Sequence, residues 1–244
     1  KRIVMPNLSL RSCVVAESGY TFISGDASQL ELRVLAILSG DPRLLEDLRT
    51  GDLHLATAIR MLGQSDDLNI MSKRRYDAKQ GNFALVYGAD EYKLAEMLEC
   101  SVEEALEFMA DHKETYPVLY QWIDAKKAQA KLDGFVVNMF GRIRPIPELN
   151  ADSWSLREKG LREAINTIVQ GTAVDIVKLI MIYLKKLLDP SIRLILQVHD
   201  EILFECLDEL LQGAIEQCRE LEQAFPDYPC VISTGKYYGE LIAV

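Results

Sequence analysis

The chain lacks several features that mark particular classes of protein. It has only five cysteines, an odd number, and no Cys-x-x-Cys pair, which indicates a reduced intracellular compartment. Charged residues interrupt its most apolar stretch before that stretch reaches the roughly 20 residues that span a bilayer. We therefore expect an intracellular protein without a membrane partner, located in the cytoplasm or nucleoid, in the host cytoplasm for a phage protein, or in an organelle.

Positive charge is also scarce. The chain has 27 basic and 37 acidic residues, which gives a net charge of −10. Proteins that hold nucleic acid mainly through its phosphates usually carry the opposite sign, although an acidic protein can contain a locally basic site. The balance argues against DNA binding through overall charge and leaves local binding sites open.

The remaining composition is that of an ordinary globular protein, with 49% hydrophobic and 26% charged residues in 244 positions. Strand-like segments lie near the two ends, at 20–26, 193–206 and 231–237, and helical patterns fill the middle. This order predicts an α+β fold in which a small antiparallel sheet with flanking helices is interrupted by a helical insertion. Because the chain begins with Lys1 rather than Met, we expect a piece of a longer protein.

Apolar periodicity predicts long helices over 71–87, 118–132 and 155–188. Ser155 and Glu158 have the spacing of a capping box, which places the start of the third helix at Ser155. Gly171 has a low helix propensity and is expected to break that helix.

Two aspartates stand where strands end. Asp26 closes the strand at 20–26, and Asp200 lies at the tip of a predicted hairpin, in a His-Asp turn without glycine. A helix N-cap for Asp26 and ordinary turn chemistry for Asp200 are the alternatives to a functional role. If the end segments pair in one sheet, the two carboxylates meet at one edge, where they suit Mg²⁺.

A basic and aromatic stripe follows one helix face. Arg75, Lys79, Phe83 and Tyr87 recur every four residues, so phosphate could bind at one end of the stripe and a ring could stack at the other. The alternative is a solvated basic turn followed by core aromatics.

A pair of amides, Asn166 and Gln170, has the same spacing. Such a pair suits contacts to base edges or a hydrogen bond between helices.

In this order, these clusters resemble DNA polymerase family A. Asp26-Ala-Ser-Gln-Leu-Glu-Leu-Arg33 is similar to motif A, in which Tyr usually stands where this chain has Ala. The spacing from Arg75 to Gly88 resembles motif B on the O helix, and Gln197-Val-His-Asp-Glu201 resembles motif C. Gly51-Asp-Leu-His54 and Gln170-Gly-Thr-Ala173 are further matches. The Ala in motif A also occurs in some phage-type members, so a phage or organellar lineage is conceivable.

The resemblance implies the palm of a right-hand polymerase at 1–52 and 171–244, interrupted by fingers at 53–170. The residues before Asp26 are too few for the thumb of the family, so the thumb is expected to be absent here. It would lie in a missing N-terminal region or on a separate subunit.

The resemblance also implies a metal site. Asp26, Asp200 and the backbone carbonyl of Ala27 would hold two Mg²⁺ ions, for which Mn²⁺ could substitute. Whether Glu201, the family's third acidic residue, has a metal role is left open.

Further implied roles concern the substrates, a dNTP and a primer-template DNA. Lys79 would bind the triphosphate and serve as a proton donor to pyrophosphate, and Glu31 would be the steric gate against ribonucleotides, with Tyr87. The other implied nucleotide contacts are Gln29, His54, Arg75 and Phe83, and the implied DNA contacts are Arg142, Asn166, Gln170 and His199.

The leading prediction is therefore a DNA-directed DNA polymerase that joins a dNTP to a primer 3′-hydroxyl by two-metal nucleotidyl transfer. The alternative is a catalytically inactive, polymerase-like DNA-binding or assembly subunit, and a two-metal nuclease is a third reading. Because every catalytic residue type remains in place, decay of the site is disfavoured. The basic and aromatic helix has no purpose in a nuclease.

Overall fold

A computed structural model describes residues 10–49 and 51–244. The chain forms two compact units. Unit 1 combines the N-terminal part up to Leu30 with Ala173–Val244, and unit 2 is Glu31–Thr172. The boundaries predicted from sequence lie after residues 52 and 170. The assignment of palm and fingers to these units stays a prediction.

Helices account for most of the described chain. In chain order, α1 to α10 are Leu30–Ser39, Pro42–Arg49, Leu53–Thr57, Leu68–Val86, Glu91–Leu98, Val102–Thr115, Pro117–Asp133, Trp154–Leu187, Leu211–Arg219 and Leu221–Ala224. Seven strands, β1 to β7, are Tyr20–Ala27, Phe135–Val137, Ile143–Pro145, Arg193–Val198, Glu201–Leu207, Cys230–Gly235 and Ile242–Ala243.

Unit 1 contains a five-stranded sheet with the order β4-β5-β1-β6-β7, and all its neighbouring strands are antiparallel. The central strand β1 is buried along most of its length, which agrees with its apolar sequence. Phe22 and Leu203 pack with Tyr238 in a cluster beside the sheet. The predicted α+β class with a small antiparallel sheet is confirmed.

Unit 2 is helical apart from the hairpin of β2 and β3. One of its apolar clusters joins α4, α5 and α6 around Leu94 and Phe108. A second cluster joins α7, α8 and the hairpin around Ile146 and Ala164.

Helix α8 differs from the sequence prediction in two ways. It begins at Trp154, so Ser155 lies inside the first turn and is not the N-cap. It also continues through Gly171, where an added Cβ would make an ordinary van der Waals contact, 3.5 Å from Asn138 Nδ2. The predicted break was wrong because low propensity does not end a helix that packs closely on its neighbours.

By length and composition, α8 could also cross a membrane, and it alone meets that test among the described helices of 18 residues or more. Half of its most apolar 18 residues are buried inside the protein, as in the core helices of soluble proteins. We therefore interpret α8 as a core helix.

One buried carboxylate caps two helices of unit 2. Asp41 Oδ1 accepts hydrogen bonds from the backbone N–H groups of Arg43 and Leu44, both at 3.0 Å, in the first turn of α2. Its Oδ2 accepts two more, at 3.0 Å, from Val118 and Leu119 in the first turn of α7. Four N–H groups that no helix could satisfy internally therefore share one side chain.

Replacing this carboxylate should destabilise the protein. We expect Asp41→Ala to lower the free energy of unfolding by about 2–4 kcal/mol, because two caps are lost and buried donors stay unpaired. Asp41→Asn keeps one acceptor oxygen and should cost about half as much. Urea denaturation measures both, with the exposed Asp66→Ala as control. Equal stability of Asp41→Ala and the control would contradict this role.

Gly81, in the middle of α4, allows an aromatic ring to approach the helix. A Cβ built at Gly81 would lie 2.7 Å from two ring carbons of Phe108, on α6. The ring is buried and cannot move into solvent. Packing thus explains a glycine that helix propensity alone disfavours by about 1 kcal/mol.

We expect Gly81→Ala to destabilise the protein by about 1–3 kcal/mol, because the new methyl group would overlap the ring of Phe108. The matched control is Gly213→Ala in α9, where nothing lies within 4 Å of the added Cβ. That change should stabilise by up to about 1 kcal/mol. The double variant Gly81→Ala/Phe108→Leu should lose less free energy of unfolding than the sum of the losses in the two single variants. Thermal and urea denaturation would measure these losses. Additive losses would remove the steric explanation.

Candidate functional site

The two predicted carboxylates lie at one edge of the sheet in unit 1, Asp26 on β1 and Asp200 in the turn before the neighbouring strand β5. Asp26 is exposed near the end of β1 and pairs across the ladder with Glu201, the first residue of β5. The next residue, Ala27, donates its backbone N–H to the carbonyl of Asp200 at 3.2 Å. The prediction that the two end segments of the chain pair in one sheet is confirmed.

The pKa of the Cys230 thiol is affected by the negative charges at this edge. Cys230, on β6, is paired with Ala27. Burial raises the pKa of the Cys230 thiol to about 11, and the negative charges of Asp26, Glu222 and Asp200 add to the shift. Both aspartates are therefore close enough to influence the same side chain.

The hairpin that carries Asp200 has an unusual turn. His199 adopts a φ of 54°, in the left-handed region that a two-residue hairpin requires but that glycine usually fills. Gln197 donates its side-chain N–H to the His199 carbonyl at 2.5 Å. The side chain of His199 is exposed.

Glu201 has a different environment. Its carboxylate accepts hydrogen bonds from Ser24 Oγ at 2.7 Å and from the Tyr238 hydroxyl at 2.6 Å. It also forms an ion pair with Arg11 at 3.0 Å. Burial and the bond to Glu201 raise the pKa of Tyr238 to about 12. Protein groups thus engage both oxygens of Glu201, which supports a structural role.

The donors at this edge suit a hard divalent cation. Asp26 and Asp200 offer carboxylate oxygens and Ala27 a backbone carbonyl, which are ligands of the kind that Mg²⁺ prefers together with substrate phosphates. Within residues 10–49 and 51–244, no three His, Cys, Asp or Glu side chains group as a metal site. Two carboxylates alone match an ion that completes its shell with substrate and water.

Unit 2 holds the predicted basic and aromatic stripe on α4. Arg75 and Lys79 are exposed, and Arg75 Nε forms a 2.6 Å ion pair with Asp52. Burial opposes ionisation of Asp52, but the bond from Arg75 prevails, and the pKa of Asp52 is lowered. Asp52 also caps α3 through the N–H of Leu55 at 3.1 Å.

His54 lies beside this cationic end of the stripe. Its side chain is buried, and burial lowers its pKa to about 4. The positive charges of Arg75 and Lys79 act in the same direction, whereas Asp52 opposes them. At neutral pH the imidazole is uncharged.

Three rings form a row along the aromatic end. The ring centroid of Phe83 lies 5.8 Å from that of His54 and 6.4 Å from that of Tyr87, with which it is stacked. The Tyr87 hydroxyl donates a short hydrogen bond to the Glu31 carboxylate. Unit 2 thus contains the predicted triphosphate contacts His54, Arg75 and Lys79. It also contains the predicted steric gate, Glu31 with Tyr87.

The remaining predicted DNA and nucleotide contacts lie outside the stripe on α4. Asn166 and Gln170 are one turn apart on α8, and Asn166 Oδ1 is buried without a hydrogen-bond partner in the described chain. Gln170 is exposed, as is Arg142 in the turn between β2 and β3. Gln29 lies between β1 and α1 with a φ of 53°.

Sequence reasoning gave no role to Asp52, Thr57 or Asn82, which contact the site residues. Asn82 is buried on α4 next to Phe83 and bonds to both His54 and Thr57. The sequence did contain a signal for Asn82: it is a polar amide among the apolar buried residues of α4.

Comparison with known proteins agrees with these observations. The sequence profile of DNA polymerase family A matches residues 5–232. The thermostable DNA polymerase I of Thermus thermophilus is 38% identical over 220 residues, which cover 89% of this chain and 26% of that protein. DNA polymerase I of Pseudomonas aeruginosa is 35% identical and is matched over 93% of this chain and 25% of its own length. The chain thus spans about a quarter of these relatives.

A solved structure is also similar. The polymerase domain of Pol1 from M. smegmatis, in complex with a DNA primer-template and a dNTP, superimposes with a TM-score of 0.86 at 31% identity. The match covers 96% of this chain and 44% of that one. Because the profile matches most of its length, the chain belongs to DNA polymerase family A.

Proposed function

We propose that this chain is the palm and fingers region of a DNA-directed DNA polymerase. It catalyses in-line attack of a primer 3′-hydroxyl on the α-phosphate of a dNTP, directed by a template, with release of pyrophosphate. The observation that carries the proposal is the pairing of β1 with β5, which brings the end of β1, with Asp26, beside the turn that contains Asp200. Two carboxylates at one sheet edge suit divalent cations that also bind substrate phosphates.

Asp26, Asp200 and the Ala27 carbonyl would hold two Mg²⁺ ions. When bound, the ions supply charge neutralisation for the phosphates and a lowered pKa of the primer hydroxyl. Glu201 supports the hairpin beneath them through its bonds to Ser24 and Tyr238.

The residues of unit 2 bind and select the nucleotide in the same reaction. Arg75 and Lys79 offer cations for the triphosphate, and Lys79 makes no ion pair in the described part of the chain that would compete. Lys79 gives a proton to the departing pyrophosphate in this proposal. Phe83 packs on the incoming sugar, while Glu31, held by Tyr87, blocks a 2′-hydroxyl. Gln29 is a further triphosphate contact.

DNA contacts are assigned to Arg142, Asn166, Gln170 and His199. The exposed side-chain amide of Gln170 and the NH₂ group of Asn166 can donate to the minor groove, where the acceptors of the four base pairs are nearly alike. Such contacts sense the shape of a base pair and accept any sequence. We assign the thumb that completes the DNA grip to another part of the full-length protein or to a separate subunit.

Removing one metal ligand tests the mechanism. Asp200→Ala should lower Mg²⁺-dependent primer extension on the order of a thousandfold, the effect of losing several kcal/mol of transition-state stabilisation. The exposed Asp227→Ala in the same unit is the control. The assay uses the chain alone and with the N-terminal portion of the Thermus relative in trans.

Circular dichroism should show that Asp200→Ala is folded, since the strand pairing at this position uses its backbone carbonyl and not its carboxylate. Extension by the variant near the wild-type rate would remove Asp200 from the metal site. A folded wild-type chain that binds primer-template but never extends it would favour the inactive DNA-binding subunit.

The position of Phe83 makes a prediction about sugar selection. Phe83→Tyr should raise the ratio of dideoxynucleotide to deoxynucleotide incorporation, because the added hydroxyl can replace the missing 3′-hydroxyl of the substrate. Competition assays on one primer-template measure the ratio, with Phe140→Tyr, an exposed phenylalanine, as control. An unchanged ratio would mean that Phe83 does not contact the sugar.

A further inference from the structure

A buried hydrogen-bond network lies directly behind His54. Asn82 Nδ2 is 3.2 Å from His54 Nδ1 and 3.0 Å from Thr57 Oγ1. Asn82, His54 and Thr57 are all almost inaccessible to solvent, with exposed fractions of 1%, 2% and 0%. Because no water competes here, the donors and acceptors of these side chains must match one another.

The proton positions follow from one end of the network. The Thr57 hydroxyl has one hydrogen, which it donates either to the Leu53 carbonyl at 2.9 Å or to the Tyr116 hydroxyl oxygen, so in both cases Oγ1 accepts from Asn82. The side chain of Asn82 must therefore present its NH₂ group, and not its oxygen, to this site. This orientation leaves Asn82 Oδ1 buried without a partner in the described chain.

The NH₂ group has two hydrogens, and both are used. One goes to Thr57 Oγ1 and the other points to His54 Nδ1, which must accept it. A neutral imidazole that accepts at Nδ1 carries its hydrogen on Nε2. His54 Nε2 has no partner within the described residues and is not among their buried unpaired atoms, so it faces accessible space.

Building on the proposed function, we propose that Asn82 is a positioning residue for the nucleotide. It keeps the proton of His54 on Nε2, so that an uncharged imidazole presents an N–H donor to the triphosphate beside Arg75 and Lys79. The charged groups that influence His54 are Asp52, Arg75 and Lys79. The chain thus recognises the triphosphate with two cations and one neutral, directional donor.

The tautomer can be read directly. The protein has three histidines, so ¹⁵N spectra of the imidazole nitrogens are simple, and a His54→Gln variant identifies the signals of His54. At pH 7 and without nucleotide, we expect a protonated Nε2 and an unprotonated Nδ1. A proton on Nδ1 in the wild-type chain would overturn the proposal, and this measurement depends on no variant at Asn82.

Asn82→Asp changes one donor into an acceptor at almost constant shape. The carboxylate should draw a proton to Nδ1, so that His54 becomes doubly protonated at low pH and keeps only the Nδ1 proton at high pH. The exposed Asn69→Asp on the same helix adds the same charge and should leave the spectrum unchanged. An unprotonated Nδ1 in Asn82→Asp would also overturn the proposal.

The consequence for binding is a new pH dependence. In the wild type the Nε2 proton is present at every pH above the His54 pKa of about 4, so its contribution to dATP affinity should stay constant. In Asn82→Asp, affinity measured by calorimetry should fall roughly tenfold between pH 6 and pH 9 relative to wild type, the value of one hydrogen bond to a charged group. A merely structural role of Asn82 would weaken binding equally at both pH values and would contradict the proposal.

The proposed function can fail separately. If the spectra show the expected tautomers but the wild-type chain binds no dATP, the proton assignment stands and the assignment of His54 to a triphosphate site is wrong.

Discussion

The register between β1 and β5 is the constraint on which the candidate chemistry depends. It pairs Asp26 with Glu201 and sets the Ala27 N–H on the Asp200 carbonyl. A slip of one residue would turn Asp26 to the opposite face of the sheet, because side chains alternate along a strand. The carboxylate of Glu201 helps to fix this register, since it bonds to Ser24 of β1 and to Tyr238 near the C-terminus. Glu201, which lies in the segment that resembles motif C, therefore has a structural role in the sheet.

The second group of candidate residues depends on one helix, α4. The four-residue spacing from Arg75 to Tyr87 was visible in the sequence and predicted both the helix and its functional face. What the sequence could not show is the layer behind that face. Asn82 and Gly81 look like ordinary interruptions of a helix, and their reasons are a histidine and an aromatic ring that come from distant parts of the chain.

Other differences between prediction and structure have the same origin. Strand positions and the α+β class followed from local patterns. The break expected at Gly171 and the cap expected at Ser155 relied on local propensity, which tertiary packing overrode. The motifs of family A were more informative than propensity, because they are fixed by chemistry rather than by helix or strand preference. The roles of individual site residues stay predictions until the variants are measured.

The double cap at Asp41 has a consequence for dynamics. Since one carboxylate satisfies the first turns of both α2 and α7, fraying of either helix end removes support from the other. The amide protons of Leu44 and Leu119 should then exchange with solvent in one concerted opening event, at matching rates, although 75 positions separate them in the chain. Two helices that lie far apart in the sequence would then unfold locally as a single cooperative unit.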